Sequence, residues 1–241
     1  MKKIVCITGD VHHINDTKLH VDEYKNAERY IELIEEYNAK ATLFVTGRCI
    51  VKHHHFWELV SQKPHIELGA HTYNGFSFIN KVFDKLNGQP YGPYIFQYYD
   101  IFRTVRAFKK IDYKPVSWRT HSYACNKNTR AILPKFGFKI ISDLIEYGGK
   151  IERNNLTEVP ITVLNDDSYL LPLLERESYG EEWILSIIIG NDIKSGMSPI
   201  ITQLHPVLMQ KFDNFKTFRT LLELFVEHGY TFKTMRELVE K

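Results

Sequence analysis

A repeated unit constrains this chain more than any other feature. A short apolar run ends abruptly on a polar or charged residue, and an amphipathic stretch follows. Residues 4–8 run into Gly9-Asp10, 41–45 into Thr46-Gly47 and 66–70 into His71. Residues 116–118 run into Arg119, and 200–204 into His205-Pro206. Helical spacing marks 22–38 (Tyr30, Leu33, Ile34, Tyr37), 51–62, 93–110, 129–136, 181–189 and 212–228. Further short runs at 138–142, 158–162 and 230–233, with a closing turn at 235–240, complete the series. Apolar runs of this length read as strands buried on both faces. Their alternation with helices implies an α/β protein with a parallel sheet covered by helices. Seven or eight such units suit a distorted (β/α) barrel, with an open doubly wound sheet as the alternative. No linker divides residues 1–241, so a single domain is expected, with irregular stretches at 77–92 and 144–180.

Charge and composition narrow the partners. Lys plus Arg total 31 against 29 Asp plus Glu, a formal charge of +2, which supplies no field to attract nucleic acid or an anionic membrane. The apolar start is too short for a secretory signal, and no run approaches the ~20 residues of a membrane span. The three cysteines (Cys6, Cys49, Cys125) are widely spaced and fit reduced thiols rather than a disulfide framework. A cytoplasmic protein is the expectation.

Position makes the polar residues informative. In a parallel barrel all strand C-termini face one mouth, so Asp10, His12, His71, Arg119 and His205 are expected to converge there. Each alone has a plainer reading: a turn or cap for Asp10, a solvated loop for His12 and His13, a surface pair for Arg119. The tract His53-His54-His55 lies in a helical stretch, where adjacent side chains diverge and cannot close on one ion. The aromatic residues between Tyr91 and Phe108 have helical spacing, which favours core packing over sugar stacking.

Several segments resemble the polysaccharide deacetylases, the nodulation-protein-B-like carbohydrate esterases of family 4. Residues 4–10 (IVCITGD) are similar to the opening strand of that family and 41–47 (ATLFVTG) to its second. Residues 65–72 (HIELGAHT) resemble its metal-histidine segment, and 118–123 (WRTHSY) its arginine–proline–tyrosine motif. Leu204-His205-Pro206 and 231–238 (TFKTMREL) resemble its late histidine strand and its ending. The resemblance implies a distorted (β/α) barrel that removes acetyl groups from sugars with a divalent metal, zinc being expected. It makes Asp10 the general base toward the attacking water, Arg119 the residue that holds and orients it, and His205 the general acid. Such roles suit amide hydrolysis, which needs an activated water, a polarised carbonyl and a proton for the departing amine.

Departures from the pattern are equally specific. The common pair of adjacent aspartates is replaced by Asp10-Val11-His12, which puts His12 at the ligand position beside His71. The second histidine, four residues after the first, is Gly75. A third ligand would then come from Asp10, His13, Asn74 or water. His121 replaces the motif proline and is expected, with Tyr123 and Asn74, to contact substrate. The resulting expectation is a hydrolase of carbon–nitrogen, non-peptide bonds, acting on a small-molecule or carbohydrate substrate. A catalytically impaired barrel that binds a carbohydrate or metabolite, and a metal-independent amidohydrolase, are the alternatives.

Overall fold

A computed structural model of the chain describes residues 2–13, 23–75, 78–147, 149, 151–152, 155–163, 166 and 191–240. Eight strands are present among them: β1 (Ile4–Val11), β2 (Ala41–Val45), β3 (Ile66–Ala70), β4 (Ser117–Trp118), β5 (Ile140–Ile141), β6 (Thr157–Glu158), β7 (Ile200–Ile201) and β8 (Thr231–Phe232). Each pairs parallel with its neighbours, in the order β6-β5-β4-β3-β2-β1-β7. β8 pairs with the beginning of β1, Ile4 opposite Thr231. The sheet curls until its ends meet, where Thr162 N–H donates to the Ile201 carbonyl at 3.1 Å. Asp166 N–H reaches the Gln203 carbonyl at 3.4 Å in the same seam. The distorted (β/α) barrel expected from the alternation is the observed architecture.

Among the described residues, six α-helices lie between β1 and β5: α1 (Glu23–Glu36), α2 (Gly47–Lys52), α3 (His54–Ser61), α4 (Phe78–Asn87), α5 (Tyr94–Lys109) and α6 (Lys127–Ile132). Four more follow at Asn191–Ser195, Pro206–Asp213, Lys216–Glu227 and Met235–Val239. Strand alternation sorts the side chains. Val5, Ile7 and Val11 of β1 join the main core with Tyr30, Leu33, Trp57, Phe108 and Trp118, between sheet and helices. Cys6, Phe44, Ile140, Ile201 and Met235 form a second, smaller cluster. Trp57 and Trp118 have no exposed surface, so truncating either to alanine would cost about 3–5 kcal/mol.

The lower end of the barrel is plugged by the C-terminal helix. Glu67 accepts from the hydroxyls of Thr42 (3.0 Å) and Ser117 (2.8 Å) and from the Arg236 N–H (2.9 Å). That carboxylate therefore sits at the N-terminus of Met235–Val239, where the helix dipole favours a negative charge. Thr234 and Glu237 form a reciprocal cap on the same turn.

Several local expectations are corrected. β1 continues to Val11, so Asp10 belongs to the strand instead of following it. Residues 51–62 do not form one helix, because His53 separates α2 from α3. The expected helix 212–228 is broken at Asn214 and Phe215, both left-handed at φ 55° and 66°. The stretch 77–92 holds α4, which its mixed composition concealed. On α5, Ile101, Thr104, Ala107 and Phe108 face inward, whereas Tyr94, Tyr98 and Phe102 remain partly exposed and are not core. Their stripe lies beside the buried one, and Tyr98 and Phe102 pack on Phe136 instead. The expected helix 181–189 lies outside the described residues. Among the described residues no helix is long and apolar enough to cross a membrane.

Candidate metal centre

The period of two that sorts the core also carries the site residues to the mouth. Thr8 and Asp10 on β1 and His12 just past its end alternate with residues of the outer core; Gly69 on β3 and His71 just past it do so too, as do Arg119 and His121 beyond β4. Gln203 and His205 continue β7 in the same way. Contacts among these side chains show that they share the barrel interior. Asp10, His71, Arg119 and His205, placed on one rim by the sequence, are brought together.

Asp10 and Arg119 form the buried base of the cleft. Arg119 Nη1 lies 2.7 Å from Asp10 Oδ1, with Asp10 4% exposed and Arg119 wholly covered. Every edge of the guanidinium is used. Nη1 also donates to Thr8 Oγ1 (2.9 Å), Nη2 to Ser142 Oγ (2.9 Å) and Nε to the Ser142 carbonyl (3.1 Å). Its face stacks on Phe44, 4.2 Å from the ring centroid. A Cβ at residue 69 would meet the Phe44 ring at 2.6 Å, so Gly69 is what lets that ring lie beneath the guanidinium. Burial raises the Asp10 carboxyl, but the Arg119 charge and the neighbouring imidazoles outweigh it and hold the group well below the usual carboxylate range. Oδ2 accepts from the Gln203 side-chain amide at 3.0 Å.

Above this pair three imidazole nitrogens converge. His12 Nε2 lies 2.9 Å from His71 Nε2, and His121 Nδ1 lies 3.2 Å and 3.4 Å from them respectively. Among the described residues this is the one group of histidine, cysteine, aspartate or glutamate side chains close enough to share an ion. His71 Nδ1 donates to the Arg119 carbonyl at 2.9 Å, which leaves its Nε2 lone pair facing the other two. Burial pushes all three imidazoles down, His71 to about 3; neighbouring imidazoles add to the effect, and the Asp10 carboxylate opposes it without reversing it. They are therefore neutral near pH 7 and available as ligands. Three facing nitrogens can satisfy at most part of one another by hydrogen bonding, whereas one cation satisfies all of them. Tetrahedral zinc with bonds of about 2.0–2.1 Å separates its nitrogen ligands by roughly 3.3 Å, which the observed edges bracket. The donor set fits a divalent metal.

The loops that hold two of these imidazoles are conformationally unusual. Thr72, just after His71, has φ 46°, and Ser122, just after His121, has φ 52° with Tyr123 at 54°. Left-handed non-glycine residues cost about 1–3 kcal/mol each and persist where surrounding contacts over-determine them. Here the contacts are identifiable. Gly47 and Arg48, at the start of α2, donate to the carbonyls of Thr72 and Tyr73 at 3.0 Å and 2.8 Å. The Asp143 carboxylate accepts the Thr120 N–H at 2.6 Å, beside His121.

His205 completes the cleft beside β1, on the segment that continues the neighbouring strand β7. Its ring lies parallel to that of His12, with centroids 5.6 Å apart. Nδ1 contacts Asp166 Oδ1 at 2.8 Å, while its own backbone N–H donates to Asp166 Oδ2 at 2.5 Å. The carboxylate thereby fixes ring orientation and tautomer and directs Nε2 inward. Gln203 Nε2 lies 3.4 Å from that Nε2 and bridges His205 to Asp10.

His121 was expected to touch substrate, yet it supplies the third nitrogen of the cluster. A Cβ built on Gly75 points at the His121 ring, 3.6 Å from Nδ1, so this ring fills the space beside the glycine. His13 stands by His53, with ring centroids 6.1 Å apart, and Asn74 is exposed on the loop after His71. Tyr123 is half-buried beside His121. In the 53–55 tract, His54 and His55 are exposed and His53 stacks on Tyr24, and among the described residues no ion site forms there. Asp166, Gln203, Ser142 and Asp143 went unnoticed in the sequence, as did Glu23, a covered carboxyl at the start of α1 that burial raises to about 8.

Comparisons with known proteins follow the same line. Residues 3–141 match the family model described as polysaccharide deacetylase. No curated protein matches the chain in sequence. Among solved structures, one from Mycobacterium smegmatis described as a polysaccharide deacetylase superposes with a TM-score of 0.71 at 16% identity, covering 98% of this chain and 89% of that one. A family 4 carbohydrate esterase from Streptomyces lividans, in complex with acetate, gives 0.61 at 11% identity, covering 98% and 95%. A family 4 pseudoenzyme from Bacillus anthracis gives 0.59 at 15% identity, covering 99% and 66%.

Proposed function

The chain belongs to the polysaccharide deacetylase family, and from that premise we propose that it is a metal-dependent hydrolase of carbon–nitrogen, non-peptide bonds. The substrate class is an N-acetylated sugar or a related small metabolite, in keeping with a cytoplasmic location. One observation carries the reading: a buried acid–base pair, a three-imidazole cluster and a carboxylate-oriented histidine open onto one mouth.

His12, His71 and His121 would hold the metal, and imidazole donors favour zinc over magnesium or calcium. When bound, the cation polarises the acyl carbonyl and lowers the pKa of water. Asp10 stays ionised because Arg119 faces its Oδ1, so the carboxylate is ready throughout the neutral range. Its Oδ2, which accepts from the neutral Gln203 amide and not from Arg119, is the oxygen that accepts the proton of the attacking water. Arg119 binds no substrate in this scheme; it keeps Asp10 charged and in place. His205 presents Nε2 as proton donor to the departing amine, and Asp166 stabilises the imidazolium that must form first. Base and acid thus line one cleft, linked through the Gln203 amide, and each is supported from behind by a partner, Arg119 or Asp166.

Acetate release from a panel of N-acetylated amino sugars and short oligomers by the zinc-loaded protein tests the proposal. Turnover that disappears in Asp10→Asn and His205→Asn is the expected result. No acetate from any member, with one zinc bound per chain, would overturn the hydrolase reading and leave the ligand-binding barrel. The pseudoenzyme among the structural neighbours gives that alternative its weight.

A further inference from the structure

The aromatic stripe of α5 plays no part in the centre above. On its outer side, between α2 and the loop after β3, lies a groove of about 360 Å3 lined by Tyr73, Tyr99, Phe102, Arg103, Arg106 and Lys110. That volume lies in the range of small-ligand sites. Three cations share it, and among the described residues none of them forms an ion pair. Asp100, one turn before Arg103 and within reach of its charge, is half-buried and already accepts from the Tyr73 N–H and, at 2.9 Å, from the Tyr91 hydroxyl. The helix dipole accounts for Arg106 in the last turn of α5, but not for Arg103 a turn earlier or for the aromatic side chains around it.

Arg103 is pre-organised. Its guanidinium carbon lies 3.7 Å from the Tyr73 ring centroid and 5.6 Å from that of Tyr99. Stacking occupies a face of the guanidinium and leaves its in-plane N–H donors for an oxyanion, the geometry that suits phosphate. Arg106 and Lys110 add charge on the same wall, and the exposed rings of Tyr99 and Phe102 offer a surface for a planar group. We propose that this groove is a second ligand site, separate from the metal centre, that binds a nucleoside phosphate. Phosphate oxygens meet Arg103, Arg106 and Lys110, and the base lies on Tyr99 or Phe102.

Isothermal titration of metal-stripped protein with adenosine diphosphate, uridine diphosphate and pyrophosphate at low salt tests the assignment without contribution from a metal ion. The expected result is one nucleotide per chain, bound more tightly than pyrophosphate. Arg103→Ala or Arg106→Ala should weaken it about tenfold, and Tyr99→Ala should bring it toward the pyrophosphate value. Zinc content and melting temperature of Arg103→Ala should match those of the parent, showing that the fold and the centre are intact. Absence of nucleotide binding at millimolar concentration, or affinity unchanged by Arg103→Ala, overturns the site. Pyrophosphate binding as tightly as the nucleotides overturns the role given to the rings. None of these outcomes depends on whether the metal centre hydrolyses amides.

Discussion

His71 and Arg119 are joined by one hydrogen bond, from the imidazole Nδ1–H to the Arg119 carbonyl at 2.9 Å. Through it a single residue serves both halves of the centre. The Arg119 backbone sets the tautomer of an imidazole of the three-histidine cluster, and the Arg119 side chain holds Asp10 ionised. The segment that carries Arg119 then delivers His121 two residues later, so the imidazole cluster and the Asp10–Arg119 pair are mechanically linked.

Replacing Arg119 by methionine should therefore be severe. The change leaves a buried carboxylate without its cation and removes the donors that hold Ser142 and Thr8, a loss of about 3–5 kcal/mol. Urea unfolding followed by circular dichroism measures it. Asp10→Asn, which keeps a hydrogen-bonding amide in place, should cost less stability while abolishing turnover. A nearly unperturbed midpoint for Arg119→Met would show that the pair is not structurally important.

Asp166 should affect rate more than binding. It touches only His205 among the catalytic groups, so Asp166→Asn leaves the substrate contacts but removes the charge that stabilises the imidazolium. A fall in kcat of about a hundredfold or more with little change in KM is expected. A rise in KM at unchanged kcat would mean that Asp166 shapes the pocket and does not orient the acid.

Asp143 gives a signed pH dependence. Burial pushes its carboxyl up to about 7, although the hydrogen bonds from Thr120 pull the other way. A raised folded-state pKa means that the native state binds the proton more tightly than the unfolded chain does. Its contribution is present in full below the ordinary carboxylate pKa and is lost as pH rises through about 7. The neutral Asp143→Asn variant escapes that loss. Its melting temperature relative to the parent should climb as pH is raised from 4 to 7, and a difference independent of pH would contradict the assignment.

How far the sequence disclosed this arrangement depends on strand periodicity. Asp10, His71, Arg119 and His205 were legible because each ends an apolar run, and parallel strands send such ends to one rim. The role of His121 was missed although the signal was present: Arg119 and His121 are two apart, as are Asp10 and His12, and so face the same way. The same step relates Gln203 to His205. Asp166 offered no such signal, because it lies beyond the apolar run 158–162, in a polar stretch whose sequence has no period to say which side chains face inward. Glu67 was hidden for another reason. Its partners are Thr42, Ser117 and the helix at the far end of the chain, contacts that only the closed barrel creates.

Removing individual imidazoles separates a true metal centre from a fortuitous cluster. His12→Ala, His71→Ala and His121→Ala should each lower zinc affinity, and adding a chelator to the parent should lower its melting temperature because the metal stabilises only the folded state. Equal zinc affinity in His121→Ala and the parent would remove His121 from the ligand set.

The most direct test is anomalous diffraction at the zinc absorption edge from crystals of the zinc-loaded protein. The account predicts one peak, bonded to His12 Nε2, His71 Nε2 and His121 Nδ1, with Asp10 held by Arg119 beside it. A peak ligated by other residues, or none at this position in protein shown to contain zinc, would contradict it.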